Sequence, residues 1–162
     1  MVRRTGWRLL RTAAPIAAIL LLAPGPAFAD AIAVIVNKSS PVDELSMGEL
    51  RRIYTGQKIR WADGSTIMVV NRPSASAIRE AFYHLVLDAL PSQEFYQKGS
   101  PIPFTTLIQE SDVATRRLVA RIPNAIGYIS LNEVDDTVKV VAIQGGRPTR
   151  GSPAPLGYPL QW

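Results

Sequence analysis

From residue 31 onward, uninterrupted apolar runs alternate with stretches of helical periodicity. Residues 31–36 (AIAVIV) are continuously apolar and rich in β-branched side chains, the pattern of a strand buried on both faces. Residues 37–43 form a loop holding Pro41. Ser46 and Glu49 then stand three apart as a capping box, with Leu45 and Leu50 spaced for the hydrophobic staple around it. The helix that follows turns Leu50, Ile53 and Tyr54 to its buried side, and Gly56 ends it. Residues 57–65 read as a loop with Trp61 and an Asp63-Gly64 turn.

Residues 66–71 predict a second strand. After Ser76, the apolar positions Ile78, Ala81, Phe82, Leu85 and Ala89 fall on one helical face, and Pro91 stops it. Residues 92–98 suggest a short extra helix, and residues 99–104 a loop with Pro101 and Pro103. Ser111 starts a helix to about Arg121, expected to bury Val113, Ala114, Leu118 and Ile122. Residues 125–131 and 137–143 predict the last two strands, and the Pro/Gly-rich residues 144–162 a loop or tail. Strands alternating with helices imply an α/β architecture around a mixed, largely parallel sheet.

The first 29 residues stand apart. Arg3, Arg4, Arg8 and Arg11 precede an apolar run at 13–23, and Ala27-Phe28-Ala29 fits a cleavage site, so a secretory signal peptide over 1–29 is expected. The run is shorter than the roughly 20 apolar residues that span a bilayer, which leaves no stable membrane insertion after cleavage; the alternative is an uncleaved anchor. Of the 18 Lys and Arg, four lie in this leader, leaving 14 against 13 acids in the rest. A near-neutral remainder gives no electrostatic case for nucleic acid. There is no cysteine, hence no disulfide and no lipoprotein attachment site.

Candidate chemistry concentrates where the second strand meets its helix, in IMVVNRPSASAIREAF. A helix start offers free backbone N–H groups and the positive end of the helix dipole. Arg72, Ser74 and Ser76 add a guanidinium and two hydroxyls, the parts of a site for a small oxyanion. Arg72 is either an anion clamp or a surface arginine pairing with a nearby carboxylate, and Ser76 either a ligand donor or an N-cap. In α/β sheets ligands sit at the carboxyl ends of strands, where this turn falls.

The order IAVIVN, LSMGELRRIYTGQKIRW, IMVVNRPSASAIREAF, PNAIGYISL and VKVVAIQGGRPT with GYPL resembles the second lobe of the phosphate-binding protein of periplasmic phosphate ABC transporters. The resemblance implies a three-layer lobe of the type II periplasmic-binding-protein kind over 30–145, with 146–162 as a C-terminal segment. It also implies a role in binding phosphate or a similar oxyanion in the periplasm. The family places an arginine at the strand end and Ser-Gly-Thr four residues later. Arg72 and Ser76 match; Ala77 stands for the glycine and Ile78 for the threonine. The ligand set implied is therefore Arg72, Ser74, Ser76 and the Ala77 N–H. Full-length members close two lobes on the ligand, so one lobe implies weak binding, completed by a homodimer or an envelope partner. The competing expectation is a protein-interaction module that has lost its ligand.

Other chemistry is not supported by the pattern. His84, the single histidine, stands four residues from Glu80 and Asp88 as a solvated helix residue, and no metal site or cofactor is expected. No G-x-S-x-G elbow accompanies it, and no nucleophile, base and orienter assemble into an enzyme. Asp135-Asp136 reads as a turn, and Tyr54, Trp61, Gly127 and Tyr128 as packing residues.

Overall fold

Strand β1 (Ile32–Asn37) is buried along its whole length because it lies inside the sheet, between two neighbours and under both helical layers. The computed structural model describes residues 30–95 and 105–162; the expected signal peptide and the 99–104 loop lie outside them. After β1 come β2 (Glu44–Leu45), α1 (Met47–Tyr54), β3 (Met68–Asn71) and α2 (Ala77–Phe82), which continues as a π-helical turn over Tyr83–Leu87. Then follow β4 (Thr105–Ile108), α3 (Asp112–Arg121), β5 (Ala125–Ser130), a 3-10 turn (Leu131–Glu133), β6 (Val138–Val140) and β7 (Ala142–Ile143).

The main sheet has the order β4-β3-β5-β1-β6. β3 runs parallel to β4 and β5, whereas β1 is antiparallel to β5 and β6. Four of the five strands thus point the same way, which is the mixed, mostly parallel sheet expected. The predicted strand over 137–143 divides at Val141, whose N–H still bonds Val34 C=O at 2.9 Å; β7 then leaves to pair in parallel with β2. The edge strand β4 had no counterpart in the sequence reading.

Alternation along β5 defines the layers, because successive residues face opposite sides of a sheet. Tyr128 faces α1 and α2: its ring stacks on Phe82 at 3.9 Å and meets Tyr54 at 5.6 Å. Gly127 faces α3, and a Cβ there would stand 3.0 Å from Thr115 Cγ2 and 3.1 Å from Val119 Cγ2. Helices therefore cover both faces.

The α1 start forms as read: Ser46 Oγ accepts the Glu49 N–H at 3.1 Å, and Glu49 returns a bond to the Ser46 N–H at 3.3 Å. Gly56 terminates it with φ +75°. Three expectations differ. In α3 the buried face is Thr115 and Val119, with Val113, Ala114, Leu118 and Ile122 only half-buried. Thr115 can face inward because its hydroxyl bonds Ser111 C=O at 3.0 Å and its methyl enters the hollow over Gly127. After α2, the π turn shifts the helical register, so Tyr83, Val86 and Leu87 are buried while Leu85 and Ala89 are half-buried. Residues 92–95 are a turn and irregular chain in place of the expected helix, whose remaining positions 96–98 lie outside the described residues.

The C-terminal segment packs on the lobe. Tyr158 and Leu160 are core residues, Tyr158 Oη donates to Ile32 C=O at 2.8 Å, and Ile32 N–H meets Leu160 C=O at 2.8 Å.

Candidate functional site

β3, β4 and β5 deliver their carboxyl ends to one edge of the sheet, and Arg72 leaves β3 there. Its side chain is buried. Nη1 forms an ion pair with the Asp112 carboxylate, Nη2 donates to Glu110 C=O at 3.0 Å, and Nε has no hydrogen-bond partner. Asp112 is the first residue of α3, and its second oxygen accepts the Ser130 N–H at 3.3 Å from the end of β5. A carboxylate at a helix start also gains from the helix dipole.

Asn71 organises the floor. Its Oδ1 accepts the Arg72 N–H at 2.9 Å and the Tyr128 hydroxyl at 2.5 Å, while its Nδ2 donates to Tyr83 Oη at 2.9 Å. Burial pushes the phenols of Tyr128 and Tyr83 above the ordinary tyrosine range, so both remain neutral hydrogen-bonding groups.

Ser76 is the N-cap of α2: its Oγ accepts the Arg79 N–H at 3.3 Å, and its own N–H bonds Pro73 C=O at 3.0 Å. A hydroxyl that accepts one bond retains its proton for donation. Ser74 and Ala77 are exposed in the same turn, with Ala77 at the first helical position, and Ile78 points into the core. The four residues expected to form the site share one turn, while the Arg72 guanidinium reaches across to α3.

Two members escaped the sequence reading. Asp112 supplies the carboxylate expected for an unclamped Arg72, but Arg72 is buried and not at the surface as that alternative had it, because α3 starts against the end of β3. Arg79 is only 3% exposed; its Nη1 donates to Arg72 C=O at 2.8 Å and its guanidinium lies 4.5 Å from the Tyr83 ring centre. The i,i+4 spacing of Arg79 and Tyr83 was the available signal.

Beside the turn, Ala77, Ala81, Leu85 and the half-exposed Trp162 line a groove of about 450 Å³, with Glu80, His84 and Gln161 on its rim. Among the described residues no group of three or more His, Asp or Glu side chains stands close enough to hold a metal ion, and no helix is long and apolar enough to cross a membrane. Asp135 accepts the Thr137 N–H at 3.0 Å, the turn expected of it.

A single lobe with helices on both faces of a mixed, mostly parallel sheet is the architecture of a periplasmic-binding-protein domain. The family profile described as a PBP superfamily domain matches residues 23–153, and the chain belongs to this family. It is 28% identical over 134 residues to the phosphate-binding protein PstS of Bacillus subtilis, covering 80% of this chain and 41% of that protein. It is 32% identical over 96 residues to phosphate-binding protein PstS 2 of Streptococcus pneumoniae, covering 59% of this chain and 32% of that one. The crystal structure of an ABC-type phosphate transport receptor from Vibrio cholerae superposes with a TM-score of 0.69 at 30% identity, covering 82% of this chain and 55% of the receptor. The chain thus spans about half or less of the length of these relatives.

Proposed function

We propose that this chain is an exported solute-binding lobe that holds a small oxyanion such as phosphate at the β3–α2 turn, by binding and not by catalysis. The observation that carries this reading is Arg72: a guanidinium buried at the carboxyl end of β3, with Nε unpartnered, on the residue that opens the turn to the capping Ser76. Ser74 and the Ala77 N–H complete the proposed contacts from the same turn. The relatives named phosphate-binding protein support phosphate as the first ligand to try. The residues read as a signal peptide support export to the periplasm.

Binding is expected to be weak. Hydrogen bonds to a charged group contribute roughly 1.5–3 kcal/mol each. Asp112 already occupies two N–H donors at the strand ends, and Ile78 offers no hydroxyl. A millimolar Kd needs only about −4 kcal/mol, which a few such bonds supply. Calorimetric titration of the purified protein with phosphate and with sulfate, alongside Arg72→Lys, tests this. Saturable heat lost in the variant supports the reading; no heat at millimolar anion overturns it.

A second reading, a ligand-free interaction module of the cell envelope, draws on the apolar groove between α2 and Trp162. It predicts a stable complex that survives substitution of Arg72 and dissociates on Trp162→Ala, measured by light scattering and pull-down.

A further inference from the structure

Among the described residues, Arg72 and Arg79 are the two fully charged side chains that are buried, and they are compensated unequally. Arg72 has Asp112, whose side chain is only 19% exposed, in direct contact. Arg79 has Glu94, which is 69% exposed and stands 3.5 Å from Nη2 without a hydrogen bond. Arg79 Nε and Nη2 have no hydrogen-bond partner. A buried charge whose counterion is mostly exposed to solvent and makes no hydrogen bond to it is only partly compensated. What holds it is the Tyr83 ring beneath the guanidinium, with Tyr83 Oη fixed in turn by Asn71, and the bond to Arg72 C=O. That carbonyl opens the turn leading to Ser76, and Pro73, having no N–H, cannot brace it from the other side.

We propose that Arg79 is a positioning residue of the oxyanion site and the source of its net positive charge. Through the Arg72 carbonyl it fixes the turn from behind. Because Asp112 cancels the Arg72 charge, the field that draws an anion to the strand ends comes from Arg79. This rests on the oxyanion reading above, which names Arg72 as the contact.

The test is titration of the purified full chain with inorganic phosphate at low and high salt. Arg79→Met weakens binding about tenfold or more, and Arg79→Lys, which keeps the charge but not the fork, recovers part of that loss. Glu94→Gln, on the surface, tightens binding about twofold, and the gain fades with added salt. A merely structural arginine predicts no gain from losing its carboxylate. If the wild type binds phosphate while Glu94→Gln leaves affinity unchanged or weaker, this proposal falls and the oxyanion reading stands. Should Arg79→Met fail to fold, the Glu94 arm alone decides. If the wild type binds no phosphate up to about 10 mM, both readings fall together.

Discussion

Arg72 and Asp112, forty positions apart, form an ion pair that ties the end of β3 to the first residue of α3. Removing one partner leaves the other buried without its counterion, the costly half of such an arrangement. Asp112→Ala is expected to destabilise the protein by about 2–3 kcal/mol, less than a fully buried pair because Asp112 keeps some solvent contact. Arg72→Met is expected to cost a similar amount, and the double variant less than the sum by about 1 kcal/mol or more. Urea denaturation of the four proteins measures this coupling; additive effects would show that the pair contributes nothing specific.

Ser76 separates capping from ligand binding. Ser76→Ala removes the acceptor of the Arg79 N–H and should cost about 1 kcal/mol, whereas Ser76→Gly should cost a few tenths. Both delete the hydroxyl donor, so both should weaken phosphate binding equally. Unequal affinities that follow stability would assign Ser76 to the cap alone.

Gly127 is required by the close approach of α3. Gly127→Ala sets a methyl 3.0 Å from Thr115 Cγ2 and 3.1 Å from Val119 Cγ2, too near for either to remain in place. A loss of about 1–3 kcal/mol is expected, visible as a lowered Tm. An unchanged Tm would mean that α3 moves away freely.

The buried phenols set the alkaline limit. Burial raises Tyr128 and Tyr158 far above the ordinary value near 10, and raises Tyr83 as well. In the unfolded chain these groups ionise above about pH 10, so the unfolded state binds fewer protons there and stability falls as pH rises. Below pH 10 their contribution is fully present. Tyr128 and Tyr158 should each remove about 1.4 kcal/mol per pH unit above that point. Tyrosinate absorbance from Tyr83, Tyr128 and Tyr158 should therefore rise only on unfolding. A single smooth titration of all five tyrosines in the folded protein would contradict this.

What the sequence disclosed was local. The Ser46–Glu49 box, the β1 run and the strand–turn–helix around Arg72 are written in neighbouring residues, and the structure has them at those places. Non-local features were hidden. Arg79 has the same helical spacing whether it faces water or Tyr83, and only the fold selects between them. Thr115 reads as polar, so its turn toward the sheet was illegible without the hollow over Gly127. Thr105–Ile108 is short and lies at the edge, where pairing with β3 and not its own pattern makes it a strand. Tyr158 and Leu160 are isolated apolar positions in a Pro/Gly-rich stretch with no period to mark them as core.

The pairing of Ile32 with Leu160 and of Asp30 with Trp162, whose N–H meets Asp30 C=O at 2.8 Å, has a mechanical consequence. The polypeptide enters and leaves the lobe along two adjoining antiparallel paths. A tensile load between Asp30 and Trp162 meets these bonds one after another, as in opening a zip, because they lie across the strand direction and along the pull. This seam parts first. Once Leu160 is drawn out, the end of β1 loses its cover, so the final residues act as the latch on which the lobe's resistance to pulling depends.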